Sequence, residues 1–539
     1  MFLLPTILKI EFFIEHLTLR IHPMKKHLSL YLLCLLFSGI AYAQNHETMV
    51  DAIVQEASDN SQLELLGQEL MDGIGPRLVG TPQMQQANEW AVKKYNSWGI
   101  AACNEKWGEW KGWQRGITHV DMVHPRIKSL EAMQLAWSPG TKGKSVSGEV
   151  LNLPVDLDSV AFQNWLPSVK GKFVMVSMQQ PTGRPDENWE EYGTEESVEK
   201  MKEARTKQAT AWYQLYQTIG YTGRTLPIAL ENAGAIGILS SNWSRGFGVN
   251  KIFGAYTKKV PSIDIGLEDY GLLYRLVASG VQPKINVRAD SKFNGNVPTF
   301  NTIAEIRGTE KPDEYVILSA HFDSWDGGTG ATDNGTGTIM MMEAMRILKL
   351  VYPNPKRTIL VGHWGSEEQG LNGSRAFVED HPEIIEHTQA VFNQDNGTGR
   401  VVDISGQGFL HSYDYISRWL YQVPDDVKDE IKTNFPGSPA GGGSDYAAFL
   451  AAGVPAFSLS STSWDYGKYT WHTNRDTYDK IVFDDVKSNV ILVAILAYMA
   501  SEDPEVTSRE KIVMPTDKRT NAPMQWPTPR SPTRLGGVD

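Results

Sequence analysis

Cysteine is almost missing. The 539-residue chain has two; Cys34 falls in an apolar stretch near the N-terminus and Cys103 stands alone after it, which excludes an intrachain disulfide and a cysteine-based metal site in the processed chain. Stability has to come from packing or from a bound metal. No cluster of Lys and Arg stands out, and the formal net charge is −12, which argues against general nucleic-acid binding because a polyanion is held mainly by clustered basic residues. Past residue 43 there is no uncharged apolar run of 18 residues, so no membrane span is expected in the mature protein. Several catalytic signatures are absent too. There is no G-x-S-x-G elbow, since the GGGSDY segment around Ser444 is out of register with one, and no HExxH, Walker A or GxGxxG loop. Internal repeats are lacking. With 21% charged and 41% hydrophobic residues, the chain is neither disordered nor a small stapled scaffold, and its length predicts two to four folded units.

What is present starts with an export signal in an odd place. From Met24 the chain reads MKKHLSLYLLCLLFSGIAYAQ: two lysines, an apolar stretch over 28–40, then Ala41-Tyr42-Ala43 before Gln44. That is the grammar of a signal peptide over 24–43, cleaved between Ala43 and Gln44, and it predicts a secreted or periplasmic protein. Residues 1–23 add nothing to such a signal, which makes Met24 the expected start. Tyr31-Leu32-Leu33 before Cys34 lacks the small residue of a lipoprotein box, so lipid anchoring is not expected. Cleavage removes four basic and two acidic residues and leaves the exported form more acidic still.

Residues 47–104 read as two helical stretches around a Gly-Pro-punctuated turn, within an N-terminal part of the main domain over 44–145. From 146 to 295 the texture changes to short β-branched runs (VSGEVLNL, GKFVMVSM, GAIGILSS, VPSIDIG, PKINVRA), expected as a compact β-rich insert. It contains an excursion over 184–221, with a helix from about Glu195 to Tyr216. From 296 to 503 the apolar runs EYVILSA, RTILVGHW, AVFNQ and VPAFSLS alternate with helical stretches after Gly335, Gly370, Tyr413 and Asp485. This predicts an α/β domain with a mixed, mostly parallel sheet between helices. Residues 504–539 read as a Pro-rich tail on the surface or partly disordered.

In such a sheet, ligands bind outside the carboxyl ends of the strands. The polar residues there are His321 and Asp323 after EYVILSA, Glu367 and Glu368 after RTILVGHW, and Asp395 after AVFNQ. His472 can reach the same edge from the YTWHTNRDT loop, and Asp333 opens the helix that begins DNGTGT. Imidazole and carboxylate are the groups that hold divalent zinc. Two zinc ions sharing one bridging carboxylate need about five protein ligands, and His321, Asp333, Glu368, Asp395 and His472 make five. Neighbouring residues in a loop point in different directions, so one of Glu367 and Glu368 can bind metal while the other acts as a base toward water. Asp323 can accept the second ring N–H of His321. Taken singly, each has a plainer explanation: Asp333 or Asp445 as a helix cap, a histidine as a structural hydrogen-bonding group, Glu-Glu as a solvated loop. His363, inside ILVGHW, is expected to be structural. The recurrence of ligand-type residues at successive strand ends is what separates the set from isolated caps.

The motifs HFDSWDGGTGATDNGTG, GSEEQGLNGS, NQDNGTG and HTNRDT resemble, in order, spacing and residue type over about 64–500, the co-catalytic di-zinc exopeptidases of the secreted aminopeptidase and plasma glutamate carboxypeptidase type. The 146–295 segment similarly resembles the protease-associated domain inserted in such enzymes. The resemblance implies two zinc ions per chain, with His321 and Asp395 on one, Glu368 and His472 on the other, Asp333 as the bridge and a cis bond between Asp333 and Asn334. It also implies Glu367 as general base and Asp323 as the partner of His321. Several relatives place Tyr before the last histidine as a polariser of the scissile carbonyl, whereas Trp471 stands there in this chain. Tyr446 and Tyr469 are then candidates for that role, with Asp445 a further substrate-binding candidate. The implied reaction is hydrolysis of dipeptides or short peptides, with the Trp and Tyr residues of 184–221 as an apolar wall. An aminopeptidase of broader range is the alternative. A glutaminyl cyclase would need only one zinc, and a metal-free binding module would have lost ligands; neither fits a complete set. A homodimer is left open.

Overall fold

The computed structural model describes residues 46–537; the expected signal peptide, its cleavage site and residues 1–23 lie outside them. Residues 46–59 are helical, followed by Leu63–Gly67, which runs on into Gln68–Ile74, and by Pro82–Ser97. The last of these starts where its sequence says it should: Thr81 caps it by accepting from the Met84 N–H, and Pro82 occupies the first turn, where its missing N–H costs nothing.

Two long antiparallel strands, Ala101–His124 and Lys284–Ile306, form the spine that joins two layers. Toward one end, Thr302 to Ile306 pair with Arg357–Trp364, whose other edge runs parallel to Lys311–His321. Thr388–Asn393 and Ala456–Ser461 continue the sheet in parallel, Val401–Ser405 joins in antiparallel, and Lys432–Asn434 pairs in parallel with it at the edge. The four parallel strands are buried on both faces or nearly so, as their unbroken apolar runs require. Helix Phe483–Glu502 is apolar around most of its circumference because it lies inside, against helix Thr336–Val351 and the sheet. The expected mixed, mostly parallel sheet between helices is what the chain forms.

At the other end of the spine, Ile285 and Val287 pair with Val146–Asn152. Phe173–Met175, Gly237–Ser240 and Ser262–Ile265 follow in parallel, with Ala132–Gln134 antiparallel at the edge. This lobe is less β-rich than its sequence texture suggests. Its strands are three to seven residues long, whereas the helices covering them include Glu195–Ile219 and Leu267–Ala278. The short β-branched runs are the buried strands of an α/β layer with its own cores. The tail lies mostly exposed on the surface and folds back, so that Leu535–Gly536 pairs in parallel with Glu109 and Trp110. Among the described residues no helix is long and apolar enough to cross a membrane.

Candidate metal centre

His321 is the last residue of Lys311–His321, Glu367 and Glu368 follow Arg357–Trp364, and Asp395 follows Thr388–Asn393. Because these strands are parallel neighbours, their carboxyl ends open on one side and the three groups converge. Asp333 enters from the loop before Thr336–Val351. Gly330 makes that loop possible, with φ of +61° and no room for a side chain, since an added Cβ would meet Ser324 Cβ at 2.3 Å. The Asp333–Asn334 bond is cis, as the resemblance implied. Neither Asp333 nor Asp445 caps a helix through its side chain: Gly335 stands at the cap position of Thr336–Val351, and Asp445 makes no cap hydrogen bond to Tyr446–Ala451.

Five groups meet in two overlapping sets. His321 Nε2 lies 3.2 Å from Asp395 Oδ1 and 3.3 Å from Asp333 Oδ1. His472 Nε2 lies 2.8 Å from Glu368 Oε2 and 3.4 Å from Asp333 Oδ2. Tetrahedral zinc with bonds of about 2.0–2.2 Å holds its ligand atoms about 3.3–3.5 Å apart; the three longer spacings are close to this, while His472 and Glu368, now at hydrogen-bond distance, would open by about half an ångström around an ion. Asp333 belongs to both sets and Glu367 to neither. His363 is structural, as expected: it is buried, with Nε2 at 2.7 Å from the Tyr95 hydroxyl and its charge suppressed by burial, which lowers its pKa to about 3.

Charge in the centre is poorly compensated by protein alone. Burial, then the neighbouring carboxylates Asp395, Asp445 and Glu368, push Glu367 well above the usual glutamate range in spite of His321. Glu368 is driven up in the same way, by burial and then Asp333. Asp445 and Asp476 rise to about 7, chiefly through burial. For His321 burial acts downward, but Asp395, Asp323 and Asp333 outweigh it and hold the ring well above its ordinary value. A site that collects carboxylates this far from water is built for a cation.

Asp323 contacts His321 and also reaches the glutamate loop. His321 Nδ1 lies 3.0 Å from the Asp323 main-chain carbonyl and 3.7 Å from Asp323 Oδ1, and the carboxylate also accepts from the N–H groups of Glu367 at 2.9 Å and Glu368 at 3.2 Å. It therefore aims both glutamates. Tyr446 donates to the Gly442 carbonyl at 2.8 Å, and Tyr469 packs at Gly246. A second phenol, Tyr466, is close enough to the acids that burial and then Asp333, Asp395 and Glu368 push it well above the usual tyrosine value, while Tyr446 is raised by burial and by Asp395. The apolar wall also has another source. Tyr192 and Tyr213 of the 184–221 excursion face solvent, and the rings beside His472 are Phe253, Trp325 and Trp471.

Two more residues escaped the sequence reading. Buried Arg77 donates to the carbonyls of Phe322, Thr329 and Gly330 at 2.7–2.8 Å and thereby ties down the loop that leads to Asp333. Asp476 accepts from the N–H groups of Thr332 and Asp333 at 2.8 and 3.0 Å. Its signal was in view, four residues past His472 in HTNRDT.

Residues 301–496 match the model of Peptidase family M28. Mouse (Mus musculus) carboxypeptidase Q is 27% identical over 471 residues, covering 86% of this chain and 92% of the relative. A Peptidase M28 precursor from Shewanella amazonensis has the same fold, with a TM-score of 0.63, 23% identity and coverage of 86% of this chain and 99% of that one. So does the zinc aminopeptidase BSAP from Bacillus subtilis, with a TM-score of 0.53, 17% identity and coverage of 84% and 97%. Family match, sheet topology and the converging set of imidazoles and carboxylates lead to one conclusion: the chain carries, over residues 301–496, a metallopeptidase domain that matches Peptidase family M28.

Proposed function

We propose that the chain is an exported di-zinc exopeptidase acting on dipeptides and other short peptides. The observation that carries this reading is the pair of ligand sets sharing Asp333, with a further glutamate, Glu367, beside both and part of neither. His321 and Asp395 would hold one zinc, Glu368 and His472 the other, and Asp333 would bridge them. Zinc in these positions supplies a Lewis acid for the scissile carbonyl and lowers the pKa of water toward neutrality. Glu367 takes the proton of the attacking water and returns it to the leaving amine. Asp323 orients that base through its main-chain N–H. The Tyr466 phenol donates a hydrogen bond to the carbonyl oxygen as negative charge develops there, the role left open by Trp471.

Restriction to short peptides is supported by the inserted lobe, which we read as a protease-associated-like domain. Its residues 250–253 lie against the His472 loop: the Ile252 N–H donates to the His472 carbonyl at 2.8 Å, and Lys251 Nζ donates to the carbonyls of Gly467 and Trp471 at 3.0 Å each. Phe253 stands edge-on to the His472 ring at 5.4 Å. A wall fixed that close to the metal ligands leaves little room for a folded or long substrate. A time course on a dipeptide, a hexapeptide and denatured casein at matched bond concentration is expected to show fastest release from the dipeptide and no internal cleavage. Equal or faster release from casein would refute the size restriction, and internal cuts would refute the exopeptidase assignment.

A further inference from the structure

The two imidazoles of the centre are held in different ways. His321 has the Asp323 main-chain carbonyl at its Nδ1, which is how a metal-binding histidine is usually oriented. His472 Nδ1 is buried and, among the described residues, makes no hydrogen bond. The His472 backbone is also in the left-handed region, with φ of +58°, a conformation that a residue with a Cβ keeps where surrounding contacts impose it. Both features leave the fixing of this ligand to whatever grips the main chain of its loop.

That grip comes from the inserted lobe. Residues 250–252 lie against 472–474 around an antiparallel bridge between Lys251 and Thr473. The Ile252 N–H donates to the His472 carbonyl at 2.8 Å. Asn250 exchanges two hydrogen bonds with Asn474: its N–H donates to Asn474 Oδ1 at 2.9 Å, and its carbonyl accepts the Asn474 N–H at 3.0 Å. Behind this contact the Asn250 side-chain amide donates to Asp264 Oδ1 at 2.6 Å and to the Ile265 carbonyl at 3.0 Å. Asp264 stands on strand Ser262–Ile265 of the lobe, and its second oxygen accepts from the Asn242 N–H at 3.1 Å. Asn250 is 1% and Asp264 4% exposed, so these bonds are out of water, where each is stronger and costly to break. A buried relay thus runs from Asp264 through Asn250 to Asn474 and ends two residues from the metal ligand. His321 and Asp395, by contrast, are placed by strands of the main sheet.

We infer that Asn250, anchored on Asp264, is a positioning residue for His472, so that the inserted lobe sets the affinity of the zinc held by Glu368 and His472 and not of the zinc held by His321 and Asp395. The inference rests on the two-zinc reading above, and its test separates the two. Zinc affinities of the full-length protein are measured by competition with a chromophoric chelator, a readout that needs no turnover. Asn250→Ala and Asn474→Ala should each weaken one zinc by about 10- to 100-fold, the range expected when the partner of a metal ligand is removed, while the other keeps its affinity. Asn474 is half-buried and its variant leaves Asn250 paired with Asp264, so it reads the link even where Asn250→Ala fails to fold. In a His472→Ala background Asn474→Ala should cost nothing more, because the group it positions is gone. Wild-type affinities in Asn474→Ala, a loss shared by both zinc ions, or a loss that persists in the His472→Ala background would overturn the positioning role. A wild type that binds a single zinc, lost in His472→Ala and weakened by Asn474→Ala, would sustain that role and overturn the two-zinc reading. Zinc binding indifferent to His472→Ala would overturn both.

Discussion

Glu367→Gln is expected to lower kcat by at least about 10²-fold, the usual scale of general-base catalysis, while both zinc ions stay bound. The amide has nearly the same shape but cannot take a proton from water. Nothing else about the loop should move, because it is held through its main chain: Asp323 accepts from the Glu367 N–H, and the Glu367 carbonyl accepts from Gly370 and Leu371. The glutamate contributes to neither ligand set. Tyr466→Phe is the companion case: it removes a donor and leaves the base, and a loss of about 10²-fold in kcat with an unchanged KM is the size expected for one oxyanion donor. Both are checked by steady-state kinetics on a dipeptide alongside metal analysis of the same preparations. Near-wild-type turnover by Glu367→Gln with two zinc ions bound would remove Glu367 from the base role.

Much of the centre was legible because of one geometric rule. Once EYVILSA, RTILVGHW and AVFNQ are taken as parallel neighbours, the residue after each must face the same space, so His321, the Glu367-Glu368 pair and Asp395 can be placed together without coordinates. Tyr466, Arg77 and Asp476 follow no such rule. Arg77 and Asp476 act by binding main-chain groups of the 322–333 loop, Arg77 from some 250 residues away in sequence, and a hydrogen bond to a carbonyl or N–H leaves no residue pattern at the receiving end. The two long strands were illegible for another reason. Ala101–His124 is mostly half-exposed, with glycine at 108, 112 and 116 and tryptophan at 107, 110 and 113, so its apolar positions follow neither a two-residue nor a helical period. The inserted lobe misled in the opposite sense. Its buried strands announce themselves through β-branched residues, and helix Glu195–Ile219 was legible from Glu195 to Tyr216, but helices Thr225–Asn232 and Leu267–Ala278 were not, so the share of strand was overestimated.

Asp333→Ala should strip the centre of metal while leaving the rest of the fold in place. Asp333 is the one carboxylate common to both ligand sets, reaching within 3.3 Å of His321 Nε2 through Oδ1 and 3.4 Å of His472 Nε2 through Oδ2. On the proposed di-zinc reading, each zinc would then lose a ligand, and the two cations would have no bridging charge between them. Groups that only orient a metal ligand already cost 10- to 100-fold in affinity when removed, so a shared ligand should cost at least about 10²-fold. Through linkage, a 100-fold loss in affinity withdraws about 2.7 kcal/mol of stability at zinc concentrations that saturate the wild type. The loop itself should persist, because its conformation is set by Asp476 on the N–H groups of Thr332 and Asp333 and by Arg77 on Gly330, none of which needs the Asp333 side chain. Metal analysis after dialysis is therefore expected to fall from two zinc ions per chain to fewer than one, with a lower unfolding temperature. After chelation the wild type and the variant should unfold together, since the difference between them is the metal. Two zinc ions retained by Asp333→Ala, with activity intact, would mean that Asp333 bridges nothing.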